Sequence, residues 1–96
     1  MAEVKLQLGE KGRGAFYLYE DEEKAGEMVV GVSGTTLTVY HTEVDPKFEG
    51  RGLAKLMLDE MVAYSGANNL KVMPLCAYVH AQFKRHAEDY KDIWKQ

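Results

Sequence analysis

A β-branched run that is stopped by a proline and passes through two glycines into an amphipathic helix constrains this chain more than any other feature. Thr36, Leu37, Thr38, Val39, Tyr40, His41, Thr42, Glu43 and Val44 form the run, Asp45 and Pro46 stop it, and Glu49, Gly50, Arg51, Gly52, Leu53, Ala54 and Lys55 follow. Branched and aromatic side chains fit a pleated strand, whereas a proline cannot donate to its ladder. The first amides of a helix have no intrahelical acceptor, and the helix dipole adds roughly half a positive charge at that end. Glycines let an anion approach those amides closely, because no Cβ stands in the way. A phosphorylated ligand is therefore expected on residues 50–54. Arg51 and Lys55 either add charge to that site or are solvated surface cations.

The rest of the chain reads as strands, then helices. Val4, Leu6 and Leu8 alternate with Lys5 and Gln7, as in a half-buried strand, and residues 9–14 close it with a turn. Residues 15–19 predict a second strand, residues 20–25 a polar connection and residues 26–32 a third strand. Residues 35–44 predict the fourth and longest, so that short connections give an antiparallel meander. From Arg51 to about Tyr64 the period changes. Leu53, Met57, Met61 and Tyr64 share one helical face, which Ala54, Leu58 and Val62 widen, and Ser65 and Gly66 are expected to end the helix. Residues 70–73 predict a fifth strand ended by Pro74, parallel to the fourth through a right-handed crossover. A second helix is expected from Cys76, with Val79 and Phe83 inward, and the tail at residues 90–94 is expected to cap the core with Ile93 and Trp94. The fold class is α/β, with a mixed, mainly antiparallel sheet and two principal helices.

Composition excludes several classes. With 96 residues, 46% of them hydrophobic, the chain is expected to form one domain over residues 1–96. A net charge of -3 and the acidic run Glu20, Asp21, Glu22 and Glu23 argue against nucleic-acid binding. That run reads as a solvated turn. Cys76 is the only cysteine, so no internal disulfide forms, and His80 and His86 lack the spaced partners of a metal site. No apolar run approaches the roughly 20 residues that cross a bilayer, and no signal-peptide pattern opens the chain. A cytoplasmic protein without membrane, metal or nucleic-acid partners is expected.

The glycine loop fails two phosphate-binding templates. It lacks the Lys-Ser or Lys-Thr of a P-loop, and Lys55 stands where the dinucleotide fingerprint needs its third glycine. Glu49-x-x-Gly52-x-Ala54, by contrast, resembles the pyrophosphate signature of the GNAT superfamily of acetyl-CoA-dependent N-acetyltransferases. The resemblance runs over residues 36–86. Residues 42–55, followed by Val72, Met73, Pro74, Leu75, Cys76, Ala77, Tyr78 and Val79, look like the small single-domain branch, with a lone cysteine after the fifth strand. Glu49 replaces the usual Gln or Arg, and the chain has no room for the two helices that larger members use to hold the acceptor.

This resemblance implies a site and a reaction. Backbone amides from Glu49, Gly50, Arg51, Gly52, Leu53 and Ala54 would hold the CoA pyrophosphate, and pantetheine would pair with the backbone of Thr42, Glu43 and Val44. Cys76 would lie near the acetyl thioester, where it accepts acetyl covalently, orients the thioester, or only packs. At a helix N-terminus a thiol gains thiolate character. Glu43 is the candidate general base, with His41 on its face as support, and Tyr78 the candidate proton donor to the departing thiolate. The implied function is transfer of acetyl from acetyl-CoA to a primary amine, on a small molecule or a protein. The alternative is a non-catalytic CoA- or acyl-CoA-binding regulatory module, and a third reading is a protein-interaction domain using an exposed sheet edge. The acceptor and the oligomeric state are not written in the sequence.

Overall fold

Alternation in the first half of the chain produces four antiparallel strands. In the computed structural model, which describes residues 1–95, these are β1 (Ala2–Leu8), β2 (Arg13–Glu20), β3 (Glu23–Ser33) and β4 (Thr36–Val44). A fifth strand, β5 (Lys71–Pro74), joins the far side of β4 in parallel, and the order is β1-β2-β3-β4-β5. The register stacks apolar residues on one face: Leu6 opposes Phe16, Phe16 opposes Met28, Val30 opposes Val39 and Leu37 opposes Val72. Helix α1 (Leu53–Ala67) makes the crossover and lays Leu53, Met57, Leu58 and Met61 on this face. Tyr64 meets the edge of the Phe16 ring at 6.0 Å. Helix α2 (Ala77–Arg85) adds Val79 and Phe83 to the same core cluster, and a four-residue helix α3 (Ala87–Tyr90) follows. Each large apolar side chain buried here stabilises the fold by about 2 kcal/mol.

The opposite sheet face stays open. Lys5, Glu27, Glu43 and His41 point outward there, along with Tyr17, Tyr19 and Tyr40. Cationic side chains lie over the tyrosine rings, Lys5 over Tyr19 at 5.5 Å, Lys24 over Tyr17 at 5.0 Å and Arg13 over Tyr40 at 4.9 Å. Their aliphatic stems cover the strands while the charges stay in water. No helix among the described residues is long and apolar enough to cross a membrane.

Several boundaries differ from the sequence reading, each for a local reason. The expected connection over residues 20–25 shrinks to two residues. Asp21 and Glu22 both take positive φ, 49° and 72°, the twist-matched hairpin turn, and the ladder resumes at once with Glu20 opposite Glu23. Helix α1 starts at Leu53, not Arg51, and continues past Ser65 and Gly66. Ser65 extends the buried stripe four residues beyond Met61, with its hydroxyl 3.8 Å from the Met61 sulfur. The stop falls at Asn68, whose side chain bonds the Tyr64 carbonyl at 2.8 Å, and Asn69, at φ 55°. The fifth strand is Lys71–Pro74, shifted by one residue from residues 70–73, and Leu70 is buried ahead of it. The tail does more than cap: Val72 N–H donates to Ile93 O at 2.6 Å and Lys95 N–H to Val72 O at 2.8 Å, so the outer edge of β5 is covered.

Candidate active site

The loop between β4 and α1 is anchored before it opens. Asp45 accepts from the Lys47 amide at 2.9 Å and caps a one-turn 3₁₀ helix begun by Pro46, which drives Phe48 into the core. Gly50 and Gly52 then both take the left-handed conformation, at φ 80° and 71°, while Arg51 between them does not. Left-handed glycines at alternate positions are a backbone pattern that can turn successive amides toward one side. Gly52 is the N-cap of α1 and offers no side chain to the helix amides. Beside it lies a pocket of about 210 Å³ lined by Val44, Phe48, Glu49, Gly50, Gly52, Leu53 and Ala54.

Two expected contributors do not line this pocket. Arg51 Nη2 donates to Glu20 Oε2 at 3.1 Å, and Lys55 Nζ reaches both oxygens of Asp59 at 3.0 and 3.1 Å. The acidic run at residues 20–23 is therefore not merely a solvated turn. Glu20, only 12% exposed, holds Arg51, and Glu23 holds Lys47 at 3.0 Å. Both cations lie over the Phe48 ring, at 5.8 and 5.4 Å. Phe48 itself was missed as a site residue. Its one signal was a lone aromatic next to the glycine loop.

The edge of β4 is bared just where the loop approaches. β5 pairs with Thr36 to Val39 only and ends at Pro74, after which the Leu75 and Cys76 amides both donate to Val39 O at 3.0 Å. Among the described residues no strand flanks this edge beyond Val39, which leaves the backbone near Thr42, Glu43 and Val44 without a strand partner on that side. A bulge sits at the same point. Val30 opposes Val39 and Val29 opposes His41, which leaves Tyr40 as the extra residue.

That bulge divides the candidate catalytic residues between two faces. Thr42 opposes the buried Met28 and so points to the helix side, where the Cys76 thiol donates to its hydroxyl at 3.2 Å. Cys76 is 6% exposed and is the N-cap of α2, although its side chain bonds Thr42 and no helix amide. Tyr78, two residues on, is half-buried. Burial pushes its phenol above the ordinary value, with the Lys55 ammonium pulling the other way. His41 and Glu43 face the open side, 60% and 63% exposed, with Nε2 to Oε2 at 3.8 Å. A pocket of about 290 Å³ next to Glu43 is bounded by Lys24, Gly26, Glu27 and Asp45. Among the described residues no three His, Cys, Asp or Glu side chains are grouped to hold a metal ion.

A family model described as GCN5-related N-acetyl-transferase matches residues 15–93. Among solved structures, a ribosomal-protein-alanine N-acetyltransferase from Brucella melitensis aligns over 100% of this chain and 93% of its own, at 12% identity and a TM-score of 0.72. A GNAT family acetyltransferase from Elizabethkingia anophelis with acetyl-CoA bound aligns over 92% of this chain and 74% of its own, at 10% identity and a TM-score of 0.68. The ribosomal-protein-S18-alanine N-acetyltransferase from Escherichia coli matches 69% of the chain at 19% identity and a TM-score of 0.64, and the chain spans 43% of that enzyme. At these identities the likeness shows a shared fold. No curated protein sequence matches the chain.

Proposed function

The chain belongs to the GCN5-related N-acetyltransferase family, and from that premise we propose that it moves an acetyl group from acetyl-CoA to a primary amine. The observation that carries this reading is the left-handed pair Gly50 and Gly52 with its adjoining pocket, which Val44 at the bared end of β4 also lines. Unpaired amides at the start of α1 suit a pyrophosphate, and an unflanked strand edge suits the amides of pantetheine. Residues 49–54 would hold the first and residues 42–44 the second. The bound co-substrate supplies an activated acetyl thioester.

The chain's own groups account for the rest. Glu43, on the open face, takes a proton from the acceptor's ammonium, with His41 beside it. Backbone amides near Val44 stabilise negative charge on the acetyl oxygen. Tyr78, a phenol protonated at neutral pH whose titration burial pushes further up, holds a proton for the departing thiolate. Cys76 and Thr42 sit on the helix side of the same edge, and amine and thioester meet across it. Calorimetry with CoA, followed by a screen of amines for acetyl-CoA-dependent thiol release, tests the proposal. Among the described residues no helix lies over the open face, which favours a second reading, a CoA-binding regulatory module. CoA binding without thiol release for any amine would select it.

Replacing Gly52 by Val is expected to weaken CoA binding at least tenfold, about 1.4 kcal/mol. A Cβ there meets no protein atom within 4 Å, so it would enter the space assigned to the phosphate, and a branched side chain is strained at φ 71°. Gly34→Val imposes similar strain, at φ 58° in the remote β3–β4 turn, and is expected to leave affinity unchanged. Equal affinities for both variants and the parent would move the phosphate site elsewhere.

For Cys76, a thiol-directed alkylating reagent is expected to react slowly, as suits a thiol 6% exposed and bonded to Thr42, and more slowly still under saturating CoA. Incubation with acetyl-CoA and no amine separates the covalent route from direct transfer. A stoichiometric adduct of about 42 Da on Cys76 supports the covalent route. Absence of the adduct together with absence of CoA protection leaves Cys76 a packing residue.

A further inference from the structure

The geometry points to a second anion pocket, on the open sheet face, in which Lys11, Arg13 and the hydroxyls of Ser33, Thr38 and Tyr40 take a carboxylate or phosphate group carried by the acceptor. The pocket, about 200 Å³, has no carboxylate in its lining. Lys5, Lys24, Lys47, Arg51, Lys55 and Lys91 each reach a carboxylate, whereas Lys11, Arg13, Lys71, Lys84, Arg85 and Lys95 reach none among the described residues, and of these Lys11 and Arg13 line one pocket together. Two cations without a carboxylate partner, lining one pocket with three hydroxyl-bearing residues, supply charge and hydrogen-bond donors for an anionic oxygen group.

The site is built and not a chance meeting of surface side chains. The β1–β2 turn that carries Lys11 and Arg13 is closed by Gly9 N–H to Arg13 O at 2.7 Å and Gly12 N–H to Gly9 O at 3.0 Å. It is tied down to β3 by Val32 N–H to Gly12 O at 2.8 Å. Tyr40, the bulge residue of β4, lays its ring across Gly31, where a Cβ would come within 3.2 Å of it. Arg13 then lies over that ring, 4.9 Å from its centroid. Gly31 makes room for the tyrosine, and the tyrosine fixes the guanidinium.

The pocket shares its face with Glu43. Tyr40 and Glu43 are three residues apart along β4, roughly 10 Å at the usual rise of a strand. An acceptor with its amine at Glu43 and an anionic group about that far away would span both sites. Only this assignment to the acceptor rests on the acetyl-transfer reading; anion binding by the pocket stands apart from it.

Residue-resolved NMR titration of the protein with inorganic phosphate and, separately, with succinate tests the pocket. Saturable shifts of the Gly12, Arg13 and Ser33 amides are expected, weakened at least fivefold in Lys11→Gln and further in Lys11→Gln/Arg13→Gln. Lys11 is exposed and makes no ion pair, so the single variant keeps the fold and the Arg13–Tyr40 stack. Tighter phosphate binding supports a phosphorylated acceptor, and tighter succinate binding a carboxylate-bearing one. No saturable shift at those amides, or shifts unchanged in the variants, overturns the pocket. The same spectra report residues 50–54 independently, so phosphate shifts there alone would leave acetyl transfer standing and remove this inference.

Discussion

Glu43→Gln lowers turnover roughly 100-fold or more and leaves CoA affinity nearly unchanged, if Glu43 is the base of the proposed reaction. The amide keeps the shape and hydrogen-bonding reach of the carboxylate and cannot take up the ammonium proton. Glu43 is well placed for an acceptor arriving from solvent: it is 63% exposed, beside a pocket of about 290 Å³, on the face away from Cys76. Its backbone, not its side chain, belongs to the strand edge assigned to the cofactor, which is why binding and rate are expected to separate. Steady-state kinetics with the acceptor found by thiol release, paired with calorimetry on CoA, reads both quantities. Turnover equal to the parent's would take Glu43 out of the mechanism, and a parallel loss of CoA affinity would assign it to binding.

Phe83→Ala is expected to cost about 3–5 kcal/mol of stability, measured by denaturant unfolding. The ring is fully buried, stacked on Tyr90 at 4.6 Å and edge-on to Trp94 at 5.6 Å. It ties α2 to the tail that covers β5, as the His80–Trp94 contact at 5.9 Å also does, so its loss leaves a cavity where helix, tail and sheet edge meet. Domains of this size have only about 5–15 kcal/mol in total. A loss of that size takes from about a fifth of such a total to all of it. Leu75→Ala, at a side chain 62% exposed, serves as the comparison and is expected to change stability by less than about 0.5 kcal/mol. A loss below about 1 kcal/mol for Phe83→Ala would mean that the site relaxes to fill the space.

Local signals carried most of the architecture. The alternation of Val4, Leu6 and Leu8, the β-branched run before Pro46, and the stripe from Leu53 to Met61 each describe one element whose period is set by its own backbone. The glycine loop was legible for the same reason, since left-handed φ at Gly50 and Gly52 is a property of those residues. Errors gathered where two signals competed. Ser65 and Gly66 look like a helix stop, yet Ser65 falls on the buried stripe and packing carried the helix through. Residues 20–25 look like a loop because they are acidic, yet a two-residue turn let the strands pair to its edge.

The strands, the helices, the parallel crossover and the left-handed glycine loop were legible in the chain, because each rests on the period or residue type of a short segment. The tertiary structure decided what faces what. Glu20 and Arg51, 31 residues apart, and Glu23 and Lys47, 24 apart, meet only once β2 and β3 fold back beside the loop. Strict alternation along β4 would put Leu37, Val39, His41 and Glu43 on one face, the buried one. The bulge at Tyr40 shifts the phase by one residue, which turns Thr42 inward to Cys76 and sends His41 and Glu43 out to solvent. No local pattern encodes that shift. It arises from pairing β4 against β3, and a single unpaired residue is enough to reverse every side chain that follows it.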